Sequence, residues 1–179
     1  KHKPRLYATN FASGRIEMYD GSFKRIGSKT AFKDALIPAG YVPFNVQNLN
    51  GLIYVTYALR GSNGDDVGGR GHGFVDVYSA SGVLLRRFRH GTFMNSPWGL
   101  TVAPSSFGPF AGDILVGMFG SGRIAVMNPG TGKFLGFLDK PDGFPIYNQG
   151  LWALSPGNGT SAGDTDKLYF TAGVNDEAG

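Results

Sequence analysis

The sequence contains no cysteine, only 17% charged residues, and no apolar run near the roughly 18 residues a membrane helix needs. Without cysteine there is no disulfide scaffold, no thiolate nucleophile and no zinc-ribbon site. Low charge combined with 41% hydrophobic residues excludes a disordered chain. Helical periodicity is almost absent too, which turns the reading toward strands. Neither an initiator methionine nor a signal peptide opens the chain, so Lys1 is read as the start of a processed product or a fragment. What is abundant is glycine, 29 of 179 residues, with 10 proline and a 13% share of aromatics.

The net charge of +4 invites a nucleic-acid reading, because eight of the 17 Lys and Arg residues fall within positions 1–33. These cations alternate with apolar residues in short strand-like runs. That pattern predicts the solvated outer face or edge of a sheet, where Lys and Arg oppose edge pairing. No nucleic-acid partner and no transmembrane segment are therefore expected.

The chain repeats itself. Ser-Gly-Arg-Ile occurs at 13–16 and again at 121–124, two periods of 54 residues apart. Around each copy lies the same phrase of three strands and two turns, and a related copy starts at Leu52. Ahead of the phrase sits a further strand, at 43–47, 97–102 and 150–154. Four antiparallel strands per repeat of roughly 50 residues predict an all-β chain of β-propeller blades. One four-stranded sheet has two apolar faces and can bury them only by stacking on neighbours. The predicted units are an incomplete blade at 1–42, blades at 43–96 and 97–148, and an incomplete blade at 149–179, about 3.25 blades in all. A closed ring needs more, so the missing propeller half or a neighbouring chain is the expected partner.

The phrases Leu6-Tyr-Ala-Thr-Asn-Phe11, Pro38-Ala-Gly-Tyr-Val-Pro-Phe-Asn-Val-Gln47, Tyr54-Val-Thr-Tyr-Ala58, Asp65-Asp-Val67, Asn95-Ser-Pro-Trp-Gly-Leu100, Phe107-Gly-Pro-Phe110 and Tyr169-Phe-Thr-Ala-Gly173 run through nearly the whole chain. With them the chain resembles a family of secreted, mostly bacterial conserved hypothetical β-propellers of uncharacterised function. Some members carry a C-terminal sorting signal for the cell surface. The resemblance implies a secreted or cell-surface location. It also implies that this chain is the C-terminal half of a ring of about six blades. It assigns no activity and no catalytic residue.

Unequal loops show where chemistry is to be sought, since loops held by a sheet scaffold carry function. The connections at 12–14 and 120–122 are short hairpins, whereas the corresponding one at 58–73 is long and glycine-rich. Asp65 and Asp66 lie in it, and the last unit's connection brings Asn175, Asp176 and Glu177 toward the same face. Oxygen ligands of this kind suit a hard cation, Ca2+ first. The simpler reading is that the two aspartates make turn hydrogen bonds. Asn45 and Gln47 rim the axis, and Arg60 and His72 belong to the long loop. Trp98, Trp152, Phe44 and Tyr57 start or end inner strands. Packing in the wedge between blades is the simpler reading for these aromatics, and stacking on a sugar ring the sharper one. Ligand-binding candidates are thus Asn45, Gln47, Arg60, His72, Trp98 and Trp152. Metal-binding candidates are Asp65, Asp66, Asn175, Asp176 and Glu177. The Gly130-Thr-Gly-Lys133 run is a hairpin turn and not a phosphate loop, because no helix follows it.

The expected function is that of a binding or scaffold protein engaging a glycan, peptide or protein at the channel-mouth loops. On this reading, replacing residues 59–72 by a short Gly-Ser hairpin abolishes ligand or partner binding and leaves thermal stability nearly intact. The alternatives are a Ca2+-dependent hydrolase or lyase with the ion in the channel, and a structural protein that self-assembles through open blade faces.

Overall fold

A computed structural model describes residues 3–173 of the chain. It is all-β, with thirteen strands and one 3-10 turn at Gly108–Phe110. The first sheet holds β1 (Arg5–Asn10), β2 (Arg15–Asp20) and β3 (Arg25–Ile26). The second holds β4 (Tyr41–Leu49), β5 (Leu52–Leu59), β6 (Phe74–Tyr78) and β7 (Leu84–Arg87). The third holds β8 (Pro97–Val102), β9 (Ile114–Met118), β10 (Ile124–Met127) and β11 (Phe134–Phe137). The fourth pairs β12 (Leu151–Pro156) with β13 (Leu168–Ala172). Within each sheet the strands run antiparallel in sequence order.

Side chains on a strand alternate between faces, and here the alternation divides each central strand between two cores. On β5, Ile53, Val55 and Tyr57 meet Tyr7, Ile16 and Phe32 from the first unit, while Tyr54 points the other way into the core shared with the third sheet. On β9, Val116 and Met118 enter that shared core, and Leu115 turns to the next one with Leu151 and Leu154. Both faces of the second and third sheets are buried in this way, so their strands read as near-continuous apolar runs. Among the described residues the end sheets are covered on one side only. Leu6 is 49% exposed and Tyr169, on the outer face of the last sheet, 42%. First strands of successive sheets lie side by side, β4 beside β8 and β8 beside β12.

Glycine supplies the joints between sheets. Gly82 ends the β6–β7 hairpin at φ +84°, and a Cβ there would stand 2.8 Å from the Phe32 amide nitrogen. That close approach lets the Phe32 N–H donate to the Gly82 carbonyl at 2.8 Å. One repeat later, the Arg89 N–H donates to the Gly132 carbonyl at 2.7 Å. The same hairpin carbonyl therefore ties the second unit to the first and the third to the second.

Candidate aromatic binding surface

Three first strands share one irregularity. The β4–β5 register slips between Pro43 and Asn45, β8–β9 between Pro97 and Gly99, and β12–β13 between Leu151 and Leu154. Each slip is a β-bulge, and Phe44, Trp98 and Trp152 lie in the three bulges 54 residues apart. A bulge interrupts the ladder and re-aims a side chain that would otherwise enter a sheet face. The interrupted amides are partly recovered. Thr56 Oγ1 accepts from the Asn45 N–H at 3.0 Å, and Thr171 Oγ1 accepts from the Ala153 N–H at 3.1 Å. Gly117 takes the corresponding place in the third sheet, and the Leu151 and Leu154 side chains pack over it.

The re-aimed rings meet. Trp152 lies 5.3 Å from Trp98, 5.9 Å from Phe44 and 4.3 Å from Phe119, ring centre to ring centre. Phe11, just past β1, adds a fifth ring 5.2 Å from Phe44. Every sheet thus contributes to one continuous aromatic surface. All five residues are half-buried, anchored by their neighbours yet partly open to solvent. Fixed rings of this kind offer large contact area at small entropic cost.

The sequence candidates distribute unevenly around this surface. Asn45 is an anchor and not a free ligand group: its Nδ2 donates to the Trp98 carbonyl at 2.7 Å, and its Oδ1 accepts from the Val46 N–H at 2.8 Å. Gln47 is exposed on β4. Tyr57 belongs to the core, its hydroxyl 2.7 Å from that of Tyr78. Phe11 and Phe119 were not singled out from the sequence, although their spacing of 108 residues is two repeats.

The long loop is structural as well as exposed. Arg60 donates to the Ala12 carbonyl of the first unit. The His72 carbonyl accepts from the Ser96 N–H at 2.7 Å, and the Gly69 N–H donates to Asn95 Oδ1 at 2.6 Å. The His72 ring bonds the Val67 carbonyl at 3.0 Å, within the loop. Because residues 60–72 brace the sheets on either side, exchanging the loop at 59–72 is expected to lower the melting temperature as well. Asp65 accepts from Asn63 Nδ2 at 2.9 Å, and Asp66 bridges to Arg60 through the backbone. Among the described residues no three His, Cys, Asp or Glu side chains gather as a metal site. Asn175, Asp176 and Glu177 lie outside the described residues. A cavity of about 420 Å³ opens beside the loop, lined by Arg70, Asn95 and Arg123 together with Phe93 and Phe134.

One buried polar cluster was not anticipated, although Asp76 interrupts an apolar strand. It is fully buried, and its Oδ2 accepts from the Tyr78 hydroxyl at 3.1 Å. Arg87 Nε lies 3.8 Å from its Oδ1 and bonds Asp34 Oδ2 at 2.5 Å. Burial, with the adjacent Asp34 charge, pushes the Asp76 carboxyl up to about 7. Burial also works against ionised Asp34, but the bonds from Arg87 and the Leu36 N–H hold it below the usual carboxylate range. The cluster clamps the 27–40 connection onto the second sheet. Folded Asp76 keeps its proton to about pH 7, whereas an unfolded aspartate loses it near pH 4. The folded state binds more protons across that window, so this residue makes stability fall as pH rises through it. Melting temperatures measured from pH 5 to 8 should show the decline, and Asp76→Asn should flatten it. An unchanged slope in the variant contradicts the assignment.

Among the described residues no helix is long and apolar enough to cross a membrane. No family model matches the chain. It is similar to three uncharacterized proteins of Acanthamoeba polyphaga mimivirus. One is 33% identical over 177 residues, 96% of this chain and 32% of the relative. The others are 30% and 31% identical, covering 96% and 93% of this chain and 43% and 45% of the relatives. The chain thus spans between about a third and just under half the length of these curated relatives. A crystal structure of a protein of unknown function from Bacteroides caccae aligns with a TM-score of 0.45 at 11% identity, over 95% of this chain and 56% of that one. These three relatives are viral and uncharacterised, whereas the family that the sequence resembles is mostly bacterial; in each, the chain matches one segment of a longer protein.

Proposed function

We propose that the four sheets are consecutive blades of a β-propeller of about six blades, and that the protein is a binding module that takes carbohydrate on its aromatic surface. Three observations support the propeller: neighbouring sheets share cores, their first strands lie side by side, and among the described residues the outer faces of the end sheets are uncovered. The length of the relatives leaves room for the remaining blades. The observation that carries the binding reading is the recurrence of a bulged aromatic at 44, 98 and 152. Core packing alone needs no bulge, because alternation already delivers apolar side chains to both faces. A bulge repeated at one position places rings where they can meet a ligand, and pyranose rings present apolar C–H faces that stack on aromatic ones. A secreted or surface location belongs to this proposal, since such a module works where glycans are displayed.

Isothermal titration against cellohexaose, chitohexaose, maltohexaose and xylohexaose tests it. Saturable binding of at least one hexasaccharide is expected. No heat of binding from any of them at millimolar concentration overturns the carbohydrate reading.

A further inference from the structure

Residues 1–33 hold eight of the 17 basic residues of the chain but only two of its 13 acidic ones. Part of this excess lies on the outer face of the first sheet, as expected: Arg25 pairs across from Tyr19, on the side of Arg15 and Glu17 and opposite Ile16 and Met18. Behind the β2–β3 edge lies a cavity of about 650 Å³ whose lining includes Arg15, Arg25, Lys29 and Lys33 and no acidic residue. Ile16, Met18 and Phe32 supply apolar lining. Phe32 produces the convergence: it is 6% exposed, packs 5.7 Å from Tyr7, and its N–H bonds the Gly82 carbonyl. Pinned at that point, the connection holds Lys29 and Lys33 at the same cavity as the two arginines of the sheet. Arg25 reaches Glu17 at 3.6 Å. Among the described residues Arg15, Lys29 and Lys33 make no ion pair.

We propose that this cavity is a second binding site, for a small ligand carrying phosphate or sulfate esters. Its volume lies within the roughly 300–1,000 Å³ of small-molecule sites, too small for a folded partner. Lys29 and Lys33, with Arg15 and Arg25 reaching the cavity from the other face of the sheet, outweigh the Glu17 carboxylate beside the arginines, and the net positive field attracts multivalent anions. Guanidinium groups match the paired oxygens of a tetrahedral oxyanion, and Ser28 adds a hydroxyl at the rim. Neutral sugars gain nothing from such a lining. None of these residues belongs to the aromatic surface, so the two sites stand or fall separately.

Titrating the chain with inorganic pyrophosphate and with a disulfated disaccharide, at about 50 mM salt to limit screening, tests the site and separates phosphate from sulfate chemistry. Binding of one or both is expected, weakened at least tenfold in Arg15→Gln/Lys33→Gln. Lys29→Gln alone should weaken it less, with an unchanged melting curve as the check on folding. Lys133→Gln removes one charge from an exposed hairpin outside the cavity and should leave affinity unaltered. An equal loss in Lys133→Gln and Lys29→Gln marks a diffuse charge effect and overturns the proposal. So does the absence of binding by either anion at millimolar concentration.

Discussion

Trp152→Ala is expected to weaken hexasaccharide binding about 30-fold, corresponding to about 2 kcal/mol for a central aromatic anchor. Trp152 is the hub of the surface, in contact with Trp98, Phe44 and Phe119. Removing it takes away its own stacking face and the support that orients three further rings. Trp152→Phe keeps a ring in the bulge and should recover most of the affinity. Phe11→Ala, at the margin beside Phe44 alone, should cost less. Titration of the three variants with the same hexasaccharide checks the order. Equal effects at Phe11 and Trp152 contradict a surface centred on the fourth sheet.

Gly99→Val is expected to destabilise the fold by about 3 kcal/mol, at the upper end of overpacking costs. For a chain of this size that corresponds to a fall in melting temperature of about 6–12 °C. Gly99 follows the Trp98 bulge on β8, and a Cβ there would stand 2.6 Å from the Trp152 carbonyl oxygen and 2.9 Å from Leu154 Cγ. The first of these is backbone and cannot rotate away, so β8 and β12 must separate. Asn45 and Ala153 occupy the same repeat position, so glycine is demanded by this junction and not by the repeat. At Asn45 the side chain spans the corresponding gap by bonding the Trp98 carbonyl. Thermal melts followed by far-UV circular dichroism measure the effect. A variant as stable as the parent would contradict the close approach of the two strands.

The strand pattern was legible because repetition exposes it. The Ser-Gly-Arg-Ile phrases at 13 and 121 mark equivalent hairpins, and the all-β, antiparallel, four-strand unit follows from them. Boundaries shifted little: β4 begins at Tyr41 rather than 43 because Tyr41 and Val42 pair with Leu59 and Ala58. The aromatic surface was half legible. Phe44, Trp98 and Trp152 are spaced by one repeat, but a bulge displaces alternation by a single residue and leaves no periodic trace. The bond from Asn45 to a carbonyl 53 residues away has no local signature, so an anchor was read as a rim ligand. The basic residues of the first sheet do lie on its exposed face, Arg15 and Arg25 beside Glu17, but alternation on a strand says nothing about the connection that brings Lys29 and Lys33 to the same cavity. Asp76 carried the clearest overlooked signal, one carboxyl amid Phe74, Val75, Val77 and Tyr78.

Trp98 and Trp152 are the only tryptophans in the chain, and both lie in the aromatic surface. Tryptophan emission therefore reports on that surface alone. Titration with the hexasaccharide that gives the strongest heat of binding should shift the emission saturably, with the midpoint found by calorimetry. It should also protect both indoles from acrylamide quenching. Calorimetric binding with unchanged emission and unchanged quenching would place the carbohydrate elsewhere and contradict the assignment of the bulged aromatics as the binding surface.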